Sequence, residues 1–458
     1  MIGCFVVLVW LPVEYAYVHS CFNNYDLGIY GQAISLLSLN RPNPWLSTRD
    51  VFLFGDHFDP ILFLAVPLRN VWHPSLVMIR VEMMSLLVAA AAPLWLCTKG
   101  LISRFIALFA SAIILFSPLT LDAAYYPAHP GTWSLAPLSW LLAFLFASQW
   151  QGVWWAMIFT FLCKEEYPAA TLFWGVILWI QGFRRQGFFI TLVSALWCTA
   201  VFVVRPMILG SANMYADAVS SGSGLSLLSD GSGWESIAKR MVAVFGPAAF
   251  LWFVSGRSRA ISRQVMTAIL AFMAVMIMVR LLGGYWGNHR SAPLSIFAAF
   301  GVIAVARHYA PIGRWNILRV GIMAAALLLP GLELGTRLYR KRDFKRHCQS
   351  NPQRIADIME AETLIRTRTD GPILAGGNLV PRLVDLPDVA QIGATKSTNF
   401  RYFLTETHSL RNPWPLSAEA YTRVEQAWRS SPESRVVLET PWVLLIRNEM
   451  YEPAGVAK

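Results

Sequence analysis

Five short polar groups interrupt a chain of 458 residues that is otherwise strongly apolar: Asn23-Asn24-Tyr25-Asp26, Asp56-His57-Phe58-Asp59-Pro60, Tyr125-Tyr126-Pro127-Ala128-His129-Pro130, Lys164-Glu165-Glu166 and Asn288-His289-Arg290. A carboxylate such as Asp26 can take the proton of an attacking hydroxyl. The imidazoles of His57, His129 and His289 and the cations Lys164 and Arg290 can hold an anionic leaving group through charge-assisted hydrogen bonds. Glu165 or Glu166 can orient Lys164 or bind hydroxyls. Plainer roles are open to each group: Asp26 as the cap of a following helix, Asp56 and Asp59 as turn residues before Pro60, His129 as an interfacial side chain. Lys164 and Glu165 could also neutralise each other at the end of a span. Ionisable groups at membrane depth are costly to keep, so the Lys164-Glu165-Glu166 trio is read as functional. Asp26, Asp56, His57 and Asp59 include donor types that suit a divalent ion, but their spacing fits no known metal motif. No metal ligands are therefore assigned, and a divalent cofactor stays open.

The elements that position these groups are apolar runs of membrane-spanning length. The chain is 55% hydrophobic and 14% charged, whereas a soluble globular protein carries roughly 25% charged residues. Runs at 2–18, 75–96, 105–121, 133–147, 153–163, 169–181, 188–208, 241–254, 266–282, 293–306 and 315–334 predict about eleven transmembrane helices. The runs at 153–163 and 169–181 are short, and read as a tilted helix pair or a broken re-entrant element around Lys164-Glu165-Glu166. The first run lacks a basic leader and Ala16-Tyr17-Val18-His19 is a poor cleavage site, so an uncleaved first helix is expected.

Thirteen acidic residues precede Gly335, and none lies beside Lys99/Arg104, Arg184/Arg185, Arg257/Arg259/Arg263 or Arg307/Arg314. These basic loops alternate with acidic ones, which marks them as cytoplasmic and turns all five polar groups outward. The net charge of +11 is spread over such loops without a stripe or a binding motif, so it reads as topology and not as nucleic-acid binding. Six cysteines show no metal or redox spacing, and Cys21 and Cys348, both outward, are expected as thiols.

The long first outer loop, 19–73, carries the Asp26 and His57 groups at its two ends. Between them an amphipathic segment, 26–37, is expected as a helix in the membrane interface, with Trp45 and Trp72 as anchors. Composition changes at Thr336, after which the chain holds 18 Lys/Arg and 14 Asp/Glu. Residues 336–458 are thus expected as a soluble extracytoplasmic α/β domain attached to the membrane domain 1–335. Helices are predicted at 352–366 and 417–430, and strands at 372–375, 389–393, 435–439 and 442–447. The basic run from Arg337 to Arg346 would lie beside lipid phosphates or form a solvated stalk.

Asn24-Tyr25-Asp26-Leu27-Gly28 with Gln32, Asp56-His57-Phe58-Asp59-Pro60-Ile61-Leu62 running into Ala65-Val66-Pro67-Leu68, then His129, then Lys164-Glu165-Glu166 resemble a prokaryotic family of polytopic membrane proteins defined only as a domain of unknown function. That family is similar to the GT-C glycosyltransferases, among them oligosaccharyltransferases, protein mannosyltransferases and lipid A aminoarabinose transferases. The resemblance implies a GT-C-like multispan core in a prokaryotic inner membrane, with Asp26 at the position of the acidic residue near the start of the first outer loop. Asn24 and Tyr25 depart from the paired acidic motif common in GT-C first loops. The implied reaction moves a sugar from a polyprenyl-phosphate donor to an extracytoplasmic lipid, glycan or protein, with inversion. Asp26 and His57 would be catalytic; His129, Lys164, Glu165, Glu166, His289 and Arg290 would bind substrate; and the apolar bundle would hold the lipid tail.

A transporter or lipid flippase is the alternative, although no internal repeat supports it. A metal-dependent hydrolase ranks third. The expected sidedness has a direct check in single cysteines placed in a background without native ones. On intact cells an impermeant thiol reagent should label His57→Cys and Arg290→Cys and spare Arg184→Cys and Arg259→Cys; labelling of Arg259→Cys overturns the assignment.

Overall fold

Apolar side chains on every face of a helix need either lipid or protein around them, and the long helices of this chain find both. The computed structural model describes residues 1–21, 25–209, 264–265, 267–275, 292–309, 351–368, 370–386, 388–395, 399–407 and 415–451. The expected spans at 241–254 and 315–334, His289, Arg290, Cys348 and the basic run from Arg337 lie outside these residues.

Among the described residues, Pro74–Thr98 and Arg184–Leu209 are long and apolar enough to cross a membrane. Ile2–Val18, Pro130–Phe146, Trp150–Cys163 and Pro293–Ala304 are shorter apolar helices. The single helix expected over 105–121 is two, Arg104–Phe116 and Pro118–Ala124, bent by 44°. Pro118 has no N–H for the first helix, and the Ser117 hydroxyl starts the second by accepting the Thr120 amide at 3.2 Å. The short runs around Lys164 form separate helices, Trp150–Cys163 and Glu166–Ile180. Glu166–Ile180 packs closely on Arg184–Leu209: a Cβ on Gly187 would stand 2.5 Å from the Trp179 amide nitrogen, so only glycine permits this backbone approach.

The first-loop helix, Tyr25–Leu36, departs from its expected place in the membrane interface. Every residue from Leu27 to Ile34 is buried. Helix Pro74–Thr98 covers one side, while the C-terminal region covers the other, Val380 lying 2.8 Å from where a Gly28 Cβ would be. Leu27, Ile29, Tyr30 and Ile34 therefore meet protein all round, which removes any need for a lipid-facing stripe. Arg69 closes the helix by donating to the carbonyls of Ile34, Ser35 and Leu37 at 3.1, 2.7 and 2.8 Å.

The C-terminal sheet contains β3 (Ile373–Ala375), β4 (Val389–Gln391), β5 (Tyr402–Glu406), β6 (Ser434–Glu439) and β7 (Val443–Asn448), whereas β1 (Trp45–Leu46) and β2 (Val51–Phe52) form a small first-loop hairpin. The larger sheet runs β4-β3-β5-β7-β6, with β3 parallel to both its neighbours and β7 antiparallel to β5 and β6. Helices Pro352–Arg368 and Ala418–Ser430 accompany it. Sequence periodicity does not reveal β5, because all five of its residues are buried and no alternation remains to be read.

This sheet docks on the end of the bundle that bears the first loop. Ser75 Oγ donates to the Pro381 carbonyl at 2.6 Å, and Gln32 Nε2 and Ser47 Oγ donate to the Val389 carbonyl at 3.2 and 2.7 Å. Arg354 donates to the carbonyls of His19 and Ser20 at 3.0 and 2.9 Å, and its Nη2 lies 2.6 Å from Glu406 Oε1, both side chains being 3% exposed. Removing one partner of such a pair strands the other charge. Arg354→Met should therefore destabilise the protein by about 3–5 kcal/mol, seen as a lower thermal midpoint in detergent, and adding Glu406→Gln should restore much of the loss.

Candidate functional site

Asp26 lies in the first turn of Tyr25–Leu36, where the helix dipole favours a negative charge. Its Oδ2 is 3.0 Å from His129 Nε2, which donates the hydrogen bond. Burial pushes the Asp26 carboxyl up, but the hydrogen bond and charge of His129, with the Tyr126 hydroxyl and the Arg49 cation, prevail and hold it at about 2. Asp26 is therefore ionised throughout the physiological range. The Tyr126 ring stacks on the His129 imidazole at 5.3 Å between centroids, and the Tyr30 ring meets it edge-on at 6.3 Å.

A second group forms where the first loop meets the break between helices Trp150–Cys163 and Glu166–Ile180. The Ile61 amide donates to the Leu162 carbonyl at 3.0 Å, which fixes the Asp56–Pro60 segment beside Lys164. Lys164 Nζ lies 3.0 Å from His57 Nδ1 and 3.3 Å from Glu165 Oε1, and His57 Nδ1 lies 3.0 Å from the same Glu165 oxygen. Burial alone would raise the Glu165 carboxyl, yet the charges of Lys164 and His57 hold it well below the usual range. Asp59 accepts from the Tyr30 hydroxyl at 3.0 Å. Its burial dominates and, with Glu165 nearby and against the pull of Lys164 and His57, pushes it up to about 6.

Tyr30 thus touches both groups, through its ring and through its hydroxyl. The Lys164 stem completes the link, passing 3.7 Å from where a Gly131 Cβ would stand, two residues beyond His129. The result is one polar floor in which the Asp26, His57 and Lys164 side chains are 26%, 16% and 15% exposed. His129, Asp59 and Glu165 are buried behind them, and Glu166 is buried in the first turn of its helix. An apolar groove of about 570 Å³ adjoins the floor, with Leu64, Met84, Trp140, Trp155 and Phe159 in its walls. Ile61, Trp133 and Cys163 also line it, and they lie close in sequence to Asp59, His129 and Lys164.

Two expected groups, Asp26 with His129 and His57 with Lys164 and Glu165, are thus brought together at one end of the bundle. His289 and Arg290 fall outside the described residues. Sequence reading gave no role to Tyr30, Arg49, Glu82 or Tyr126, and weighed Asp59 only as a turn residue or a metal donor. Glu82 carried the clearest signal, a carboxylate inside an apolar run. As for a divalent ion, Asp26 faces His129 and Glu165 faces Lys164, and among the described residues no three His, Cys, Asp or Glu side chains converge.

Residues 19–245 match the family model described as "Predicted membrane protein (DUF2079)", and the chain is a membrane protein. No curated protein matches it. Its fold resembles that of ArnT from Cupriavidus metallidurans bound to undecaprenyl phosphate, at 12% identity and a TM-score of 0.50, with 97% of each chain covered. The apo state of the same protein aligns at 15% identity and a TM-score of 0.45, over 97% of this chain and 98% of that one. The helical bundle with a C-terminal sheet therefore resembles the fold of ArnT.

The raised Asp59 gives a signed expectation. A carboxyl that binds its proton more tightly when folded adds stability below its ordinary value of about 4. That stability is lost as pH climbs through about 6. Relative to Asp59→Asn, the wild-type thermal midpoint should fall between those two values and then level off; a difference that does not change with pH contradicts the burial argument.

Proposed function

We propose that the protein is a GT-C-type membrane glycosyltransferase that takes a sugar from a polyprenyl-phosphate donor. The observation that carries this reading is the floor itself: a carboxylate kept ionised at one end, a lysine and an imidazole at the other, and an apolar groove alongside. The groove suits an isoprenoid chain and the cations suit its phosphate. The likeness to a fold whose relative binds undecaprenyl phosphate supports the same assignment.

In this reaction the acceptor hydroxyl attacks the anomeric carbon from the face opposite the phosphate. Its proton passes to Asp26 as the new glycosidic bond forms, and the bond to the phosphate oxygen breaks with its electron pair leaving on the polyprenyl phosphate. Phosphate departs without a general acid, so one base suffices. Lys164 and His57 stabilise the departing charge, and their buried counter-ion Glu165 holds both in place. His129 orients Asp26, Glu166 is assigned to substrate hydroxyls, and His289 and Arg290 are assigned to the same phosphate. Side chains of the floor themselves supply positive charge at this point. In this reading the site and the 336–458 domain both belong to the outer side of a prokaryotic inner membrane.

Purified protein in lipid, given candidate polyprenyl-phosphate sugars, should consume the donor. Asp26→Asn keeps the side-chain shape and should lower turnover about 10²–10⁴-fold, the usual contribution of a positioned base. Lys164→Met should weaken donor binding as well as turnover. Wild-type turnover in Asp26→Asn eliminates the base assignment, and gradient-driven uptake without donor consumption replaces the transferase with a transporter.

A further inference from the structure

The segment that delivers His129 is tightly constrained. Pro127 and Pro130 flank the Ala128-His129 pair, and a residue before proline is driven to extended backbone. His129 obeys, with φ −125° and ψ 116°. The turn between the prolines then falls on Ala128, whose φ is +85°, a conformation that residues with a Cβ rarely adopt. One contact answers that strain. Glu82, fully buried in helix Pro74–Thr98, accepts the Ala128 and His129 amides on a single oxygen, Oε2, at 2.8 and 2.9 Å.

We infer that Glu82 is a positioning residue: by gripping these two successive amides it holds the strained turn and keeps the His129 imidazole aimed at Asp26. The inference rests on the reading of Asp26 and His129 as parts of the reacting site, and it assigns Glu82 no contact with substrate. A carboxylate inside a membrane helix that served only packing would be replaceable by an apolar side chain. Here the two amides would then be buried without an acceptor, and the turn would relax away from Ala128.

The test reads His129 directly. In folded Glu82→Leu, peptide-mapped modification by diethyl pyrocarbonate should rise roughly tenfold at His129 over wild type, since its nitrogen leaves Asp26, and stay unchanged at the half-buried His19. The scale is that of one lost hydrogen bond, about 1.4 kcal/mol. Glu82→Gln keeps an acceptor oxygen and should stay near wild type. Where transfer is measured, Glu82→Leu should lower kcat more than it raises KM. It should also move the acid limb of kcat/KM to higher pH, because Asp26, still facing Tyr126 and Arg49, loses its partner His129. Should Glu82→Leu fail to fold, Ala128→Val disturbs the same turn while leaving Glu82 in place, and must raise His129 modification likewise. Unchanged modification in a folded variant overturns the role of Glu82. Raised modification in a protein without transferase activity leaves that role standing and removes the proposed function instead.

Discussion

A carboxylate that leaves water must take a counter-charge with it or give up its own charge, and this constraint organises the polar end of the molecule. Glu165 is 1% exposed and survives as an anion because Lys164 and His57 both reach the same oxygen. Asp26 does the same with His129. Asp59, as buried as Glu165, accepts a hydrogen bond from the Tyr30 hydroxyl but meets no cation in direct contact among the described residues, and it yields toward its neutral form. Three carboxylates within one floor thus settle into different protonation behaviour through their neighbours, although all are drawn from nearly identical side-chain chemistry.

The helices serve this arrangement by ending in the right places. Trp150–Cys163 stops where Lys164 must emerge, Tyr25–Leu36 begins where Asp26 must sit, and the bend at Ser117-Pro118 turns the chain toward the Tyr125–Pro130 segment. The apolar groove runs along the flanks of the neighbouring helices, where Met84, Trp140, Trp155 and Phe159 line it, and it includes Cys163, the residue before Lys164.

Most of what could be read from the sequence was of this terminal kind. Asp26, His57, His129, Lys164 and Glu165 stand out because they break apolar runs, and the structure gathers those five side chains. The Ser117-Pro118 bend was missed because hydropathy averages over it, even though the Ser-Pro pair was visible. Buried surroundings defeated periodicity elsewhere: the first-loop helix looks amphipathic yet is enclosed, and β5 shows no alternation because both its faces are covered. Glu82 shows itself as a carboxylate inside an apolar run, but nothing in the sequence names its partner, the His129 amide 47 positions away.

The Arg354 contact bears on how the protein is made. The carbonyls of His19 and Ser20, at the threshold of the first loop, receive donors from a residue synthesised 335 and 334 positions later. Ribosomes add roughly 5–20 residues each second, so the loop waits on the order of half a minute before its lid of sheet exists. During that interval Gly28 and Gln32 lack the surfaces they pack against in the finished protein, and a chain truncated before Arg354 would keep its helices while leaving the entrance to Asp26 permanently unfinished.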